Sequence, residues 1–155
     1  MTVEPSVTHA TFVIERTYPV SPARVFAAFA DPAIKARWFG ADTVSTVEYT
    51  LDFRVGGREI SRGTQSDGHT YAYDALLQDI VPNARIVSTY EMHLDDARIS
   101  VSVATVELKP EDAATRLVFT EQGAYLDGLD TPQQREHGTR ELLEALGAEL
   151  QRTPA

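Results

Sequence analysis

The sequence predicts an α+β fold: a curved antiparallel sheet of about seven strands, two short helices after the first strand, and a long C-terminal helix gripped by the sheet. Three observations carry this. Apolar and polar residues alternate in segment after segment between residues 8 and 122, punctuated by Gly-Gly, Asp-Gly, Pro-Asn and Asp-Asp pairs, the pattern of strands joined by tight turns. Two helix starts of the cap-plus-proline kind, Ser21-Pro22 and Asp31-Pro32, stand between the first such segment and the rest. A third, Thr131-Pro132-Gln133-Gln134, opens a run of leucines at helical spacing.

Residues 8–18 form the first strand, with Phe12, Ile14 and Tyr18 on one parity and Val13, Glu15 and Thr17 on the other; Arg16 falls on the apolar parity. The helix opened by Ser21 carries Val25, Phe26 and Phe29 as its apolar stripe. The helix opened by Asp31 pairs Ile34 with Trp38 on one face, then leaves through Phe39 to a stop at Gly40. Val47, Tyr49, Leu51, Phe53 and Val55 alternate without a break, which predicts one strand over residues 47–55. Gly56-Gly57 turns it into a weaker strand over 58–63, and Asp67-Gly68 makes the next hairpin turn. Strands over 71–80, 86–92, 99–108 and 115–122 follow, with turns at Pro82-Asn83, Asp95-Asp96 and 110–112. The last helix runs to about residue 150, roughly 28 Å at 1.5 Å per residue, burying Leu142, Leu143, Leu146 and Leu150 and turning Glu136, Arg140 and Glu144 to solvent.

The 155 residues fit one domain, expected over residues 8–151 with flexible ends at 1–7 and 152–155. The chain has no cysteine, so it holds no disulfide, thiolate metal site or cysteine nucleophile. Its net charge of −9 and lack of a basic run argue against nucleic acid. No apolar run approaches the length of a membrane span, and the N-terminus lacks the pattern of a signal peptide, so a cytoplasmic protein is expected. His9, His69, His93 and His137 show no metal spacing, and no phosphate loop, dinucleotide fingerprint or serine elbow is present. Neither a cofactor nor a metal is expected.

Six stretches carry a family resemblance: Arg16-Thr-Tyr-Pro-Val-Ser-Pro-Ala-Arg-Val-Phe26, Asp31-Pro-Ala-Ile-Lys-Ala-Arg-Trp-Phe-Gly40, Phe53-Arg-Val-Gly-Gly57, Asp79-Ile-Val-Pro-Asn-Ala-Arg-Ile86, Thr115-Arg-Leu-Val-Phe-Thr-Glu-Gln-Gly123 and Arg135-Glu-His-Gly138. In this order, over residues 10–150, the chain resembles the START-like helix-grip (SRPBCC) superfamily, and within it the branch related to the activator of the heat-shock-protein-90 ATPase. The resemblance implies a cavity between sheet and long helix for an apolar or amphipathic small molecule. It does not imply one activity, because relatives include lipid carriers, hormone sensors, cyclases and chaperone activators, some tied to stress responses. Relatives often carry a tryptophan just after the glycine of the last helix; here Thr139 follows Gly138. The volume this leaves is either open or filled by neighbouring aromatics.

The candidate lining residues are Trp38, Phe39, Tyr49, Phe53, Tyr90, Phe119 and Leu142, the types that line concave sites. Arg16 and Glu121 lie on apolar strand parities, so each sits in a structural ion pair, emerges into solvent at a strand end, or reaches water in a cavity as a polar anchor for a ligand. Glu121 is the candidate acid or base. Three functions follow in order of expectation: a small-molecule binder or carrier without enzyme activity, a polyketide cyclase or dehydratase-like enzyme using Glu121 or a tyrosine, and a chaperone-activating interaction protein. A homodimer is open, with no residue arguing for it.

Overall fold

A computed structural model describes residues 4–40 and 44–152. The outermost parts of the two expected flexible ends, 1–3 and 153–155, lie outside the described residues. In chain order the elements are β1 (Val7–Tyr18), α1 (Pro22–Ala30), α2 (Pro32–Trp38), β2 (Val44–Leu51), β3 (Arg58–Gln65), β4 (Thr70–Val81), β5 (Arg85–Leu94), β6 (Ala97–Glu111), β7 (Ala114–Leu126) and α3 (Pro132–Leu150). The strands form one antiparallel, open, curved sheet in the order β1-β7-β6-β5-β4-β3-β2. β2 to β7 are a meander, and β1 closes onto the last strand, with Phe12 opposite Glu121 and Ile14 opposite Phe119.

Each helix start behaves as its residues dictate. Ser21 Oγ accepts from Arg24 N at 3.2 Å, and Asp31 Oδ1 accepts from Ala33 N and Ile34 N at 2.9 and 3.3 Å. Thr131 Oγ1 accepts from Gln134 N at 3.1 Å. The reciprocal half of the capping box is taken over by Asp130, whose Oδ1 accepts from Thr131 N at 2.7 Å. The hairpin turns at Asn83, Asp95 and Asp112 each place a non-glycine residue at positive φ (63°, 53° and 57°), which short polar side chains tolerate best.

The strand predicted over 47–55 is the main departure. β2 stops at Leu51, and a bulge between Thr46 and Glu48 breaks its register with β3. Val47 is consequently 77% exposed, Val55 lies in the exposed turn, and Phe53 leaves the sheet to meet Phe26 of α1 at 5.5 Å between ring centroids. Perfect alternation encodes which residues want cover, not which of them remain paired to a neighbouring strand.

The main core lies between one part of the concave sheet face and the helices. It gathers Ile14, Tyr18, Leu77, Ile86, Val106, Leu108 and Leu117 from the sheet with Val25, Ala28, Phe29, Trp38, Leu143, Leu146 and Leu150 from the helices. Burying side chains of this size contributes about 1.5–3 kcal/mol each. Tyr18 pins α3 in place: its hydroxyl donates to Leu143 O at 2.8 Å, and its ring passes under Gly147, where an added Cβ would come within 3.2 Å.

Candidate functional site

The rest of the concave face is built differently. On β3 the inward residues are Glu59, Ser61 and Gly63; on β6 they include Ser100, Ser102 and Ala104; on β7, Glu121, Gly123 and Tyr125. Ala75 and Ala104 are covered by Tyr90, with Tyr73, Met92 and Phe119 around them, as a cluster separate from the main core. Small side chains thus form the floor and aromatic ones the cover. The rings run in an unbroken series: Trp38 to Phe39 at 5.9 Å, Phe39 to Tyr73 at 5.1 Å, Tyr73 to Tyr90 at 4.8 Å, with Tyr49 at 6.2 Å from Phe39.

Two buried charge networks flank this series. In the first, Lys35 Nζ of α2 donates to Glu59 Oε1 and Oε2 at 2.9 and 2.7 Å. Tyr49 donates to Oε2 at 2.6 Å and Tyr73 to Oε1 at 3.4 Å. The ammonium lies 4.3 Å from the centre of the Phe39 ring, a cation–π contact strengthened by exclusion of water. Burial, with the Glu59 carboxylate adding to it, raises the pKa of both Tyr49 and Tyr73, so their phenols remain donors at neutral pH.

In the second network, Arg135 reaches down from the first turn of α3. Its Nη1 donates to the Tyr90 hydroxyl at 2.9 Å and lies 3.5 Å from Glu121 Oε2; its Nη2 donates to Ser100 Oγ at 2.7 Å and Asp130 Oδ2 at 2.8 Å. The guanidinium carbon lies 5.6 and 5.5 Å from the Tyr90 and Tyr125 ring centres. Tyr90 in turn donates to Glu121 Oε1 at 2.8 Å. Glu121 is 1% exposed, and burial raises its carboxyl pKa even though Arg135 and Tyr90 pull the other way. Burial opposes the charge on Arg135, but Tyr90, Glu121 and Asp130 together more than offset it and its pKa is raised.

Of the residues singled out in the sequence, Phe39, Tyr49, Tyr90 and Glu121 come together here. Phe119 stacks on Phe12 at 6.3 Å and touches both the main core and the small cluster. Trp38 is buried against Phe29, its indole N–H donating to Ala28 O at 3.0 Å, and so clamps α2 to α1. Phe53 and Leu142 pack on the main core, away from the charge networks. Arg16 reaches the surface instead, 3.5 Å from Glu144 of α3, and does not meet Glu121. Thr139 is buried with its hydroxyl donating to Arg135 O at 2.9 Å. Two open hollows lie elsewhere, at the turn around Asp52 and Gly57 and on the outer face by Asp74, Glu91 and Val101. The concave face beside Phe39 is occupied by its own rings and ion pairs.

Sequence reasoning missed Lys35, Glu59 and Arg135. Alternation hides Glu59, because Ile60 beside it is the apolar residue of that strand yet lies on the opposite face. Lys35 gave one unused signal: it stands four residues before Phe39, the spacing that stacks a cation on a ring. Among the described residues no three His, Cys, Asp or Glu side chains group closely enough to hold a metal ion, and no helix is long and apolar enough to cross a membrane.

The likenesses agree with this architecture. A structure from Rhizobium leguminosarum, of an uncharacterised protein, is 44% identical over 97% of this chain and 99% of its own, with a TM-score of 0.93. One from Rhizobium loti is 53% identical over 93% of this chain and 99% of its own, with a TM-score of 0.86. One from Chromobacterium violaceum is 25% identical over 92% and 98%, with a TM-score of 0.76. A comparison with the curated proteins finds no match. The family described as activator of Hsp90 ATPase homolog 1-like protein matches residues 19–153. With that match spanning nearly the whole chain and the helix-grip sheet and helices in place, the protein belongs to the activator of Hsp90 ATPase homolog 1-like family of the START-like superfamily.

Proposed function

We propose that the protein binds a small apolar or amphipathic molecule on the polar-aromatic part of the concave face, under Phe39 and Tyr73. One observation carries the reading. A floor of small side chains (Ala75, Ser100, Ser102, Ala104, Gly123) lies beneath Tyr73 and Tyr90, which cluster apart from the main core, and beneath Phe39, which bridges the two through Trp38. A surface built for stability alone would fill such a floor with branched aliphatics, as the other part of the same sheet does. Flat rings with hydroxyl tips suit a ligand that is mostly apolar and needs a few polar contacts.

The enzyme reading is weaker. Glu121 is engaged by Tyr90 and Arg135 and holds α3 to the sheet, an arrangement of support rather than of proton transfer. The chaperone reading needs a contiguous docking surface. The large exposed apolar side chains among the described residues, such as Val7, Val13, Val47 and Val101, are instead spread from one edge strand to the other.

The test is a thermal-shift and native mass spectrometry panel of fatty acids, flat aromatics and polyketides. A ligand present at about 100 times its Kd adds about 2.7 kcal/mol, a rise of several degrees for a chain this long. Stabilisation by at least one class, weakened in Tyr73→Ala, is the expected result. No shift from any class removes the proposal.

A further inference from the structure

We infer that the deep end of this site takes the carbonyl oxygen of a neutral, flat ligand, bonded by the hydroxyls of Tyr125 and Ser102. The inference rests on the ligand-binding reading and specifies its chemistry. Tyr125 and Ser102 are 1% and 2% exposed, yet neither Tyr125 OH nor Ser102 Oγ has a hydrogen-bond partner. Ser102 donates to the Glu121 carboxylate only weakly: the contact favours the charged form of Glu121 but falls short of full hydrogen-bond geometry. Buried hydroxyls are seldom left without an acceptor, because desolvation is then uncompensated.

The two side chains converge over Gly123. Ser102 is its register partner on β6, and a Cβ at position 123 would come within 3.1 Å of Ser102 Oγ and 3.0 Å of the Tyr125 ring. Any larger residue there would push both hydroxyls apart. Burial also holds the Tyr125 phenol up to about 12, so it donates across the neutral range.

The surrounding groups select the charge of the guest. Lys35 and Arg135 face Glu59, Glu121 and Asp130, so two cations meet three carboxylates, all within contacts of 3.5 Å or less. An anionic head would meet a surplus carboxylate. A cationic one would have to take a carboxylate from Lys35 or Arg135. A neutral acceptor disturbs neither pair, and it supplies what the two hydroxyls lack. The body of such a guest fits beside Phe39, Tyr73, Tyr90 and Phe119. The loosest part of the cover is Tyr73, whose 3.4 Å bond is the longest of those to Glu59; Lys35 and Tyr49 hold that carboxylate without it.

The experiment is equilibrium dialysis of the full chain with 2-acetylnaphthalene, 2-ethylnaphthalene and 2-naphthoate, which share a body and differ in the head. Wild type is expected to hold the ketone about tenfold tighter than the hydrocarbon, and tighter than the carboxylate. Tyr125→Phe and Ser102→Ala should each erode the ketone preference, read as the ratio of 2-acetylnaphthalene to 2-ethylnaphthalene affinity within the same variant. Tyr125→Phe should fold at least as stably as wild type, because it removes an unpartnered hydroxyl and no packing. Equal binding of ketone and hydrocarbon, a preference that survives both substitutions, or tightest binding of the carboxylate overturns the inference and leaves ligand binding itself intact. Binding of none of the three, together with a silent thermal-shift panel, removes both.

Discussion

The two parts of the concave face use the same sheet for opposite ends. Towards the C-terminal half of α3, strand residues such as Ile14, Leu77, Ile86, Val106 and Leu117 meet Val25, Leu143, Leu146 and Leu150 in a mainly aliphatic core. Towards the N-terminus of α3, the inward positions change to Glu59, Ser100, Ser102, Glu121 and Gly123, and the cover changes to Phe39, Tyr73 and Tyr90. The first part earns stability from area removed from water. The second spends part of it, because burying two ion pairs costs nearly what their attraction returns. That expense makes sense where specificity is required, and it sets the two parts apart experimentally.

The largest effect should come from breaking one buried pair. Lys35→Met leaves Glu59 buried with only phenols for partners, and a loss of about 3–5 kcal/mol in urea unfolding is expected. The double variant Lys35→Met/Glu59→Leu should recover most of this. If the losses simply add, the pair is not acting as a unit and the contrast between the parts fails. In the aliphatic part, Leu146→Ala should cost about 2–5 kcal/mol through the cavity it leaves, with no change in any ligand affinity; a change would show that the parts are not independent.

A pH profile separates them further. The Glu121 carboxyl is held above its ordinary value of 4.5 by burial. Its folded form therefore binds a proton more tightly than the unfolded chain does. The corresponding stability is present below about pH 4.5 and is lost as pH rises through the folded value. The stability of wild type relative to Glu121→Gln should fall over that window and then level off. A relative rise would mean that Arg135 and Tyr90 outweigh burial.

Gly147→Ala should be smaller, a net loss of about 1 kcal/mol. The gain in helix propensity is outweighed because Tyr18 is held by its hydrogen bond and cannot give way at 3.2 Å. Arg140→Ala breaks the exposed pair with Glu136 on the solvent side of α3 and should cost no more than about 0.5 kcal/mol. A larger loss would show that this outer face also contributes to holding α3 on the sheet.

The contrast between the parts also explains how much was readable in advance. The aliphatic part was legible because hydrophobic periodicity reports burial directly: of the stripes at Phe12, Ile14 and Tyr18 and at Leu142, Leu143, Leu146 and Leu150, all are buried but Leu142, which is half-buried against the same core. The polar-aromatic part was legible only in pieces. Tyr49, Tyr90 and Glu121 stood out singly, whereas nothing in the alternation marked Glu59, and Arg135 figured only within the Arg135-Glu-His-Gly138 stretch of the family resemblance. The same limit applied to Arg16, which occupies an inward parity like Glu121 but lies at the sheet edge, where it reaches water and Glu144.

By itself, then, the sequence determined the element order, the helix starts at Ser21, Asp31 and Thr131, the turns at Asn83, Asp95 and Asp112, and the family. These depend on local propensities and on spacing along the chain. Tertiary structure alone decided that Lys35 meets Glu59, that Arg135 bridges Tyr90, Ser100, Glu121 and Asp130, and that Tyr125 and Ser102 converge over Gly123. Apart from Arg135 with Asp130, the charged pairings join residues 14 or more apart in sequence, and they depend on strand register and on where α2 and α3 settle against the sheet. Charge and hydroxyl partners are chosen by distance in space, which periodicity along the chain does not encode.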